Sequence, residues 1–204
     1  MEKIDTLNIF PIPIQIYRYE LGIGKEVKYI ENLEWRTNTG NFTSMDSYLN
    51  EHESLCNVTT FFKECLNDYC DTILNSDQRL SVTQLWANKN PKGSEHPIHM
   101  HPNSIVSGVF YLRQNPALPP IYFYNGNMDT FMLQPRENSC YTSEFVSLPC
   151  ETGDLVLFPS SLLHSVPLNG SEEERMSLSF NTFSADVIGN KDHLSYLDIR
   201  KIVN

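Results

Sequence analysis

Several features that define other protein classes are absent from this sequence. It contains no apolar run of about 18 residues or more, which argues against a membrane-spanning helix. Residues 1–6 include no apolar segment of the kind found in secretory signals, so we expect a cytoplasmic protein. Neither an internal repeat nor a Gly- or Ser-rich linker occurs, so the 204 residues are expected to form a single domain, 1–204.

Cysteine pairs and positive charge are also scarce. The five cysteines are odd in number and no Cys-x-x-Cys motif occurs, so neither a disulfide framework nor a cysteine zinc site is expected. Acidic residues outnumber basic ones by 25 to 15, which gives a formal net charge of −10. Such a surface repels phosphate backbones. We therefore expect no nucleic-acid partner and no membrane partner, and a substrate that is neutral or basic.

The apolar pattern of the first third of the chain predicts one strand and two helices. Residues 7–19 alternate around two prolines, which is typical of an edge strand. Residues 23–35 fit a short helix, and residues 37–48 are polar enough for a loop. Residues 54–74 carry apolar side chains at the i, i+3, i+4, i+7 spacing of an amphipathic helix.

From residue 80 onward the pattern changes to short runs rich in β-branched and aromatic residues. Pro, Gly, Asn and Asp separate these runs, as in an antiparallel sandwich or barrel. We therefore predict a mainly β protein with N-terminal helices (α+β), in which residues 1–79 pack on a jelly roll at 80–185 and residues 186–204 form a C-terminal tail. The predicted strands are 80–90, 104–114, 119–125, 143–149, 153–159 and 175–183.

A histidine pair lies between two of the predicted strands, in the segment HPIHMHPNS. In an extended chain, residues i and i+2 point to the same side, so His99 and His101 can both reach one ion. The best candidate for a third ligand is His164, which follows a strand and a turn in GDLVLFPSSLLHSV. Imidazole suits Fe(II), Zn(II) or Cu(II), and three ligands on one face of an octahedron leave the other positions open. Two alternatives stay open: the pair is merely solvated, or His96 replaces His99.

Arg175 opens the otherwise apolar run RMSLSFNTF. On a strand it shares one face with Ser177, while Met176 and Leu178 share the other. A bidentate pair with a carboxylate would explain an arginine at this position, and Ser177 could donate a second hydrogen bond. Tyr111, in SGVFYLR, could add a further donor. The alternatives are a surface arginine that closes a glutamate-rich turn and a tyrosine that only fills the core.

Three segments occur in a recognisable order: HMHPNSIVSGVFYLR, then GDLVLFPSSLLHSVPLNG, then RMSLSFNTF. In these segments the chain resembles the 2-oxoglutarate/Fe(II) oxygenase superfamily, nearest to a prolyl-hydroxylase-like branch known mostly from bacteria and phages. The resemblance covers residues 81–183 and, more loosely, residues 7–16. It implies a double-stranded β-helix whose iron is held by an H-x-D/E…H triad.

The resemblance also assigns roles to individual residues. His99 matches the first histidine of the triad and His164 the distal one. Arg175 matches the basic residue that pairs with the 5-carboxylate of 2-oxoglutarate. Ser177 resembles the serine of an R-x-S pattern, and Tyr111 matches a cosubstrate-binding tyrosine. Candidates for the rest of the pocket lining, on sequence position alone, are Trp86, Asn88 and Tyr122.

The implied activity is that of a dioxygenase that uses Fe(II), 2-oxoglutarate and O2, with ascorbate as a supporting reductant. Such an enzyme hydroxylates its substrate and releases succinate and CO2. The substrate is expected to be a small molecule or a peptidyl group; a peptidyl proline, a free amino acid and another metabolite are all compatible with the sequence. The predicted edge strand near the N-terminus offers a pairing edge for a homodimer.

One residue departs from the superfamily pattern. His101 stands where most members have Asp or Glu, and residues 96–113 contain no carboxylate. Replacing a carboxylate by imidazole removes a negative charge from the ligand set. Two alternative functions follow from this departure: a three-histidine, cupin-like metalloprotein that does not use 2-oxoglutarate, or a catalytically inactive jelly-roll binding protein.

Overall fold

The computed structural model of the protein describes residues 3–126 and 135–201, so residues 202–204 of the predicted tail lie outside the described part. Two helices and eleven strands of the described chain build the body of the molecule. In chain order they are β1 (Gln15–Arg18), α1 (Gly24–Glu31), β2 (Trp35–Thr37), β3 (Phe42–Ser44), α2 (Cys56–Thr72), β4 (Leu80–Asn90), β5 (His96–His99), β6 (Val106–Arg113), β7 (Ile121–Tyr124), β8 (Phe145–Leu148), β9 (Asp154–Pro159), β10 (His164–Val166) and β11 (Arg175–Ser184).

The strands form two antiparallel sheets that pack face to face. The larger sheet has the order β1-β9-β6-β11-β4-β3-β2, and the smaller has the order β5-β10-β7-β8. A core between the sheets joins Val109 and Phe158 of the larger sheet to Ile121 and Phe123 of the smaller. The predicted jelly roll, or double-stranded β-helix, is therefore confirmed.

Helix α2 covers the outer face of the larger sheet. Its buried residues Val58, Phe62 and Leu66 belong to one apolar cluster with Phe110 of β6 and Phe180 of β11. The rings of Phe62 and Phe180 stack with centroids 4.8 Å apart. Full burial of such a side chain contributes about 1.5–3 kcal/mol.

The N-terminal third differs from the prediction in three places. The edge strand predicted at 7–19 does lie at the sheet edge, but only Gln15–Arg18 pairs, with β9. The helix predicted at 23–35 ends at Glu31, and Trp35 begins β2. The loop predicted at 37–48 is wrong in part, because Phe42–Ser44 forms β3. This strand pairs with β2, a few residues earlier, and with β4, which is distant in sequence.

Beyond β11, the described residues of the tail form two further short strands, β12 (Val187–Ile188) and β13 (Leu197–Asp198), which pair with each other. Neither helix in the described part of the chain is long and apolar enough to cross a membrane.

Candidate metal centre and anion pocket

Three predicted histidines meet where β5 and β10 lie side by side. His164, the first residue of β10, stands directly opposite His99, the last residue of β5. His101 lies just beyond β5, where its backbone N–H donates to the carbonyl of Ser160 at 2.9 Å. One ring nitrogen from each of the three histidines can be chosen so that all lie within 4.8 Å of one another. The structure therefore brings His99, His101 and His164 together as one possible ligand set.

A β-bulge in β5 explains the position of His96. His99 pairs with His164 and His96 with Val166, so the segment of β5 is one residue longer than the segment of β10 that it faces. As a result His96 and His99, three residues apart, both line the same cavity. Their rings stack with centroids 4.1 Å apart and an interplanar angle of 23°. His96 thus lies beside the group of three rather than in place of His99.

The Nδ1 atoms of the three imidazoles are hydrogen-bonded to oxygen atoms, which leaves the Nε2 atoms available. Nδ1 of His99 lies 2.9 Å from the carbonyl of Pro97, and Nδ1 of His164 lies 2.8 Å from that of Leu162. Nδ1 of His101 lies 2.7 Å from Oδ1 of Asn181. Because these oxygens accept, each Nδ1 carries the proton and each Nε2 carries a lone pair.

Those lone pairs suit a metal cation. The Nε2 atoms of His99 and His101 are 3.3 Å apart, a close approach of two acceptors that a cation between them would relieve. In each histidine the Nδ1 proton is bonded to an oxygen acceptor. Metal-binding histidines are usually supported in this way. The residues present therefore fit a single divalent ion such as Fe(II).

Burial keeps the three rings neutral. Desolvation, followed by the neighbouring histidines, lowers the pKa of His164 to about 3 and that of His101 to about 4. Desolvation also lowers the pKa of His99. At neutral pH protons therefore do not compete with a metal for these nitrogens.

A cavity joins the histidines to a polar wall on the larger sheet. Strand β11 forms much of this wall, because its alternate residues face inward. At one end of the strand Arg175 lines the cavity, and near the other end Asn181 holds His101. Trp86 and Asn88 line the cavity as predicted, whereas Tyr122 stacks on Phe145 with centroids 4.6 Å apart and does not line it.

Arg175 is the charged group of this cavity, and within the described chain no carboxylate pairs with it. Its side chain is only 2 % exposed, so the alternative of a surface arginine is wrong. Nη1 donates weakly to Oγ of Ser177 at 3.3 Å, and Nε has no partner. The acidic turn pairs elsewhere, since Glu174 lies 3.5 Å from Arg113. A buried, uncompensated guanidinium is costly, and a ligand carboxylate would compensate it.

Tyr111 lies against this guanidinium. The Cζ atom of Arg175 is 5.0 Å from the centroid of the Tyr111 ring. The hydroxyl is fully buried and has no partner at normal hydrogen-bond distance, although Arg175 and Cys150 lie near enough to affect it. Desolvation raises the pKa of Tyr111, which keeps the hydroxyl protonated as a donor.

Sequence reasoning missed three polar residues of the site: Asn41, Asn90 and Asn181. Asn90 could have been found, because Trp86, Asn88 and Asn90 alternate with the apolar Leu85 and Ala87 along one strand. Asn181 could have been found in the same way, because it alternates with Arg175, Ser177 and Ser179 along a strand, whereas Asn41 has no such signal. Asn41 precedes a strand that looks like a loop, and Asn181 becomes part of the site only through its contact with His101.

Together the fold and the site define a jelly-roll protein in which three convergent histidines that could hold a metal ion share a cavity with a buried arginine. Residues 84–181, which include all three histidines and Arg175, match the family model described as "Putative 2OG-Fe(II) oxygenase". This part of the chain belongs to the 2-oxoglutarate/Fe(II) oxygenase superfamily, as its sequence resemblance implied.

Solved structures of similar fold include members of the same superfamily. HygX from Streptomyces hygroscopicus, with nickel, 2-oxoglutarate and hygromycin B bound, is 16% identical with a TM-score of 0.62, over 85% of this chain and 84% of its own. A prolyl-4-hydroxylase from Pseudomonas putida is 14% identical with a TM-score of 0.59, over 83% of this chain and 92% of its own. Comparison with curated proteins gave no match.

Proposed function

We propose that the protein is an Fe(II)- and 2-oxoglutarate-dependent dioxygenase that hydroxylates its substrate and releases succinate and CO2. The observation that carries this proposal is the buried Arg175, which lacks a carboxylate partner and lines the same cavity as three convergent imidazoles. A metal site alone needs no such arginine. A 2-oxo acid with a second carboxylate needs both a metal and a cation at a fixed separation.

In this proposal each part of the cavity has a defined task. His99, His101 and His164 would hold Fe(II), which supplies open positions for the 2-oxo acid and for O2. Arg175 and Tyr111 would bind the distal carboxylate, and Ser177 would hold the guanidinium in place. Phe158 packs its ring edge-to-face on His164, with centroids 4.8 Å apart, and keeps water away from that side.

The substrate we propose is a small molecule or a peptidyl group. Among similar structures, one is described with hygromycin B bound and another is a prolyl-4-hydroxylase, so the fold accommodates both classes. The net charge of −10 supports a neutral or basic substrate and speaks against nucleic acid.

A homodimer through β1 is proposed as well, because β1 is the last strand at one edge of the larger sheet.

The test is to measure binding and turnover separately. Purified protein with Fe(II) is titrated with 2-oxoglutarate under anaerobic conditions and followed by absorbance, and succinate is then measured in the presence of O2 and ascorbate. We expect binding and slow uncoupled succinate formation. Arg175→Ala should weaken 2-oxoglutarate binding by about tenfold or more while iron still binds. Arg113→Ala, a half-buried arginine paired with Glu31, is the control.

The histidine at position 101 supports one other candidate, a three-histidine metalloprotein that does not use 2-oxoglutarate. Iron binding without any 2-oxoglutarate binding would favour that candidate over our proposal. Binding of both without succinate formation, with or without trial substrates, would instead indicate the catalytically inactive binding protein. Arg175 speaks against the first of these alternatives, because a cupin-like site has no need for a buried guanidinium.

A further inference from the structure

Beside Arg175, the wall of the cavity contains buried amides that lack hydrogen-bond partners. Asn90 is 1% exposed, and both its Nδ2 and its Oδ1 are unpaired. Asn41 is 2% exposed, and its Nδ2 is unpaired. Both residues line the cavity. Since buried polar atoms in proteins are nearly always hydrogen-bonded, two such side chains facing one cavity indicate a polar ligand.

The sheet register places these amides next to the guanidinium. Asn90 pairs directly with Arg175 across β4 and β11. Strand β3 pairs with β4 on the other side, with Phe42 opposite Lys89, so the next position sets Asn41 beside Asn90. Asn41, Asn90 and Arg175 therefore form one row across three adjacent strands, on the face that lines the cavity.

The amide dipoles of this row can align toward an anion. Nδ2 of Asn38 donates to Oδ1 of Asn41 at 3.0 Å, which leaves Nδ2 of Asn41 as a free donor. The unpaired Oδ1 of Asn90 is an acceptor on the neighbouring strand, and its Nδ2 is then a donor next to Arg175. Neither Nδ2 of Asn41 nor Oδ1 of Asn90 has a partner in the ligand-free protein, and a hydrogen bond from the first to the second would leave Nδ2 of Asn90 to donate beside Arg175.

We propose that Asn90 donates a hydrogen bond to the distal carboxylate of 2-oxoglutarate, and that Asn41 positions the Asn90 amide for this task. The inference rests on the proposed function. Three free donors, Nδ2 of Asn90, Nε of Arg175 and the hydroxyl of Tyr111, then meet one carboxylate, which has about four acceptor sites. The pocket therefore selects a 2-oxo acid with two carboxylates over one that has the 2-oxo carboxylate alone.

The experiment compares two ligands that differ only at the distal end. Protein loaded with Ni(II), which does not consume the ligand, is titrated by calorimetry with 2-oxoglutarate and with 2-oxopentanoate, which has the same five-carbon chain but no distal carboxylate. For Asn90→Leu we expect 2-oxoglutarate binding to weaken by about tenfold and 2-oxopentanoate binding to stay unchanged. Asn90→Asp, of the same size, should weaken 2-oxoglutarate further, because the two carboxylates repel each other.

The role of Asn41 is tested by non-additivity. Asn41→Leu alone should weaken 2-oxoglutarate binding by a few fold, and the double variant with Asn90→Leu should bind no more weakly than Asn90→Leu itself. The control is Asn57→Leu, the same substitution at an exposed position of α2, which should leave the binding of both ligands unchanged. Circular dichroism and nickel stoichiometry show that each variant is folded and loaded.

The possible results separate this inference from the proposed function. If the unchanged protein binds 2-oxoglutarate and Asn90→Leu binds it equally well, the inference is wrong and the proposed function stands. Equal weakening of both ligands in the folded variant also overturns it, because Asn90 would then shape the pocket without touching the distal carboxylate. If the nickel-loaded unchanged protein binds no 2-oxoglutarate, the proposed function itself fails.

Discussion

His101 stands where the superfamily pattern has a carboxylate, and its surroundings suit an imidazole. Its Nδ1 lies 2.7 Å from Oδ1 of Asn181 and 2.8 Å from Oγ of Ser107. The Ser107 hydroxyl is in turn hydrogen-bonded to Ser160 at 2.8 Å. A donor at Nδ1 fixes the tautomer in which Nε2 is free for a metal. Asn181 is therefore a positioning residue for His101.

We predict that Asn181→Leu lowers metal affinity by about tenfold to a hundredfold, because loss of the oxygen partner frees the His101 ring and its tautomer. Asn181→Asp, whose carboxylate also accepts from Nδ1, should keep an affinity close to that of the unchanged protein. The measurement is titration with Ni(II) or Co(II) by calorimetry. If Asn181→Leu and the unchanged protein bind the metal with equal affinity, His101 is held in place by other contacts.

A second prediction at the residue scale concerns acid stability. Desolvation, then the neighbouring His99 and Arg175, lower the pKa of His96 to about 3 in the folded state, below the usual 6.5. The unfolded chain therefore binds a proton at a higher pH than the folded one does. The stability that His96 contributes is fully present above about pH 6.5 and falls as the pH drops toward the folded-state pKa.

For His96→Gln we expect the metal-free protein to lose less stability between about pH 7 and pH 4.5 than the unchanged protein, by on the order of 2 kcal/mol. Urea denaturation at both pH values measures the difference. His193→Gln, at an exposed histidine, is the control and should leave the loss unchanged. If both variants behave alike, His96 is not held neutral by burial.

The site residues show what the sequence can and cannot predict. His99, His101, His164 and Arg175 were found because strand periodicity and strand ends are visible in the sequence, and the structure brings all four to one cavity. The placement of His96 on the same side was not predictable, because a bulge shifts the facing of residues and leaves no local signature. The roles of these residues remain predictions.

At the scale of single elements, the Phe180 ring of β11 lies over Gly108 of β6 and leaves no room there for a side chain. A Cβ atom at Gly108 would overlap the ring of Phe180, which is stacked on Phe62 of α2. The sequence shows a glycine inside a predicted strand, which suggests close approach, but the partner ring becomes known only from the register of Phe180 opposite Gly108.

Gly108→Ala should therefore destabilise the protein by about 1–3 kcal/mol through overpacking. The matched control is Gly170→Ala, at an exposed glycine where a Cβ would meet nothing within 4 Å. We expect the control to lie within about 0.5 kcal/mol of the unchanged protein. Urea denaturation checks both, and a tolerated alanine at position 108 would mean that the ring can move aside.

Long strands were predicted far better than short ones. The predicted strand 80–90 coincides with β4, since eleven residues are enough to show the alternating pattern of a strand. The three-residue β3 and β10 carry almost no periodic signal, and their extended backbone is fixed by ladders to the strands on either side. Local sequence therefore determines the long elements, and tertiary pairing determines the short ones.

At the scale of the whole molecule, the buried polar wall lowers the stability of the ligand-free fold. In the described part of the chain, a guanidinium and several amides carry buried polar atoms that have no hydrogen-bond partner, a cost that a more apolar interior would avoid. Binding sites commonly carry such a cost. The ligand-free fold is therefore not at its stability maximum, and a bound ligand should stabilise it.

This predicts opposite effects for Arg175→Met. Without ligand the variant should be equally stable or more stable than the unchanged protein, because an unpaired buried charge is removed. With a saturating divalent metal, 2-oxoglutarate at about a hundred times its dissociation constant should stabilise the unchanged protein by about 2.7 kcal/mol and the variant hardly at all. Thermal unfolding with and without 2-oxoglutarate measures both. Strong destabilisation of the ligand-free variant would show that Arg175 supports the fold.

Alternate residues of strand β11 face the site on one side and the core on the other. Arg175, Ser177 and Ser179 face the cavity, while Met176, Leu178 and Phe180 face the helix. Residues on one face can be substituted without disturbing the other face. The insertion or deletion of one residue, however, exchanges the two faces from that point on. Over evolutionary time, we therefore expect β11 to vary in composition more readily than in length.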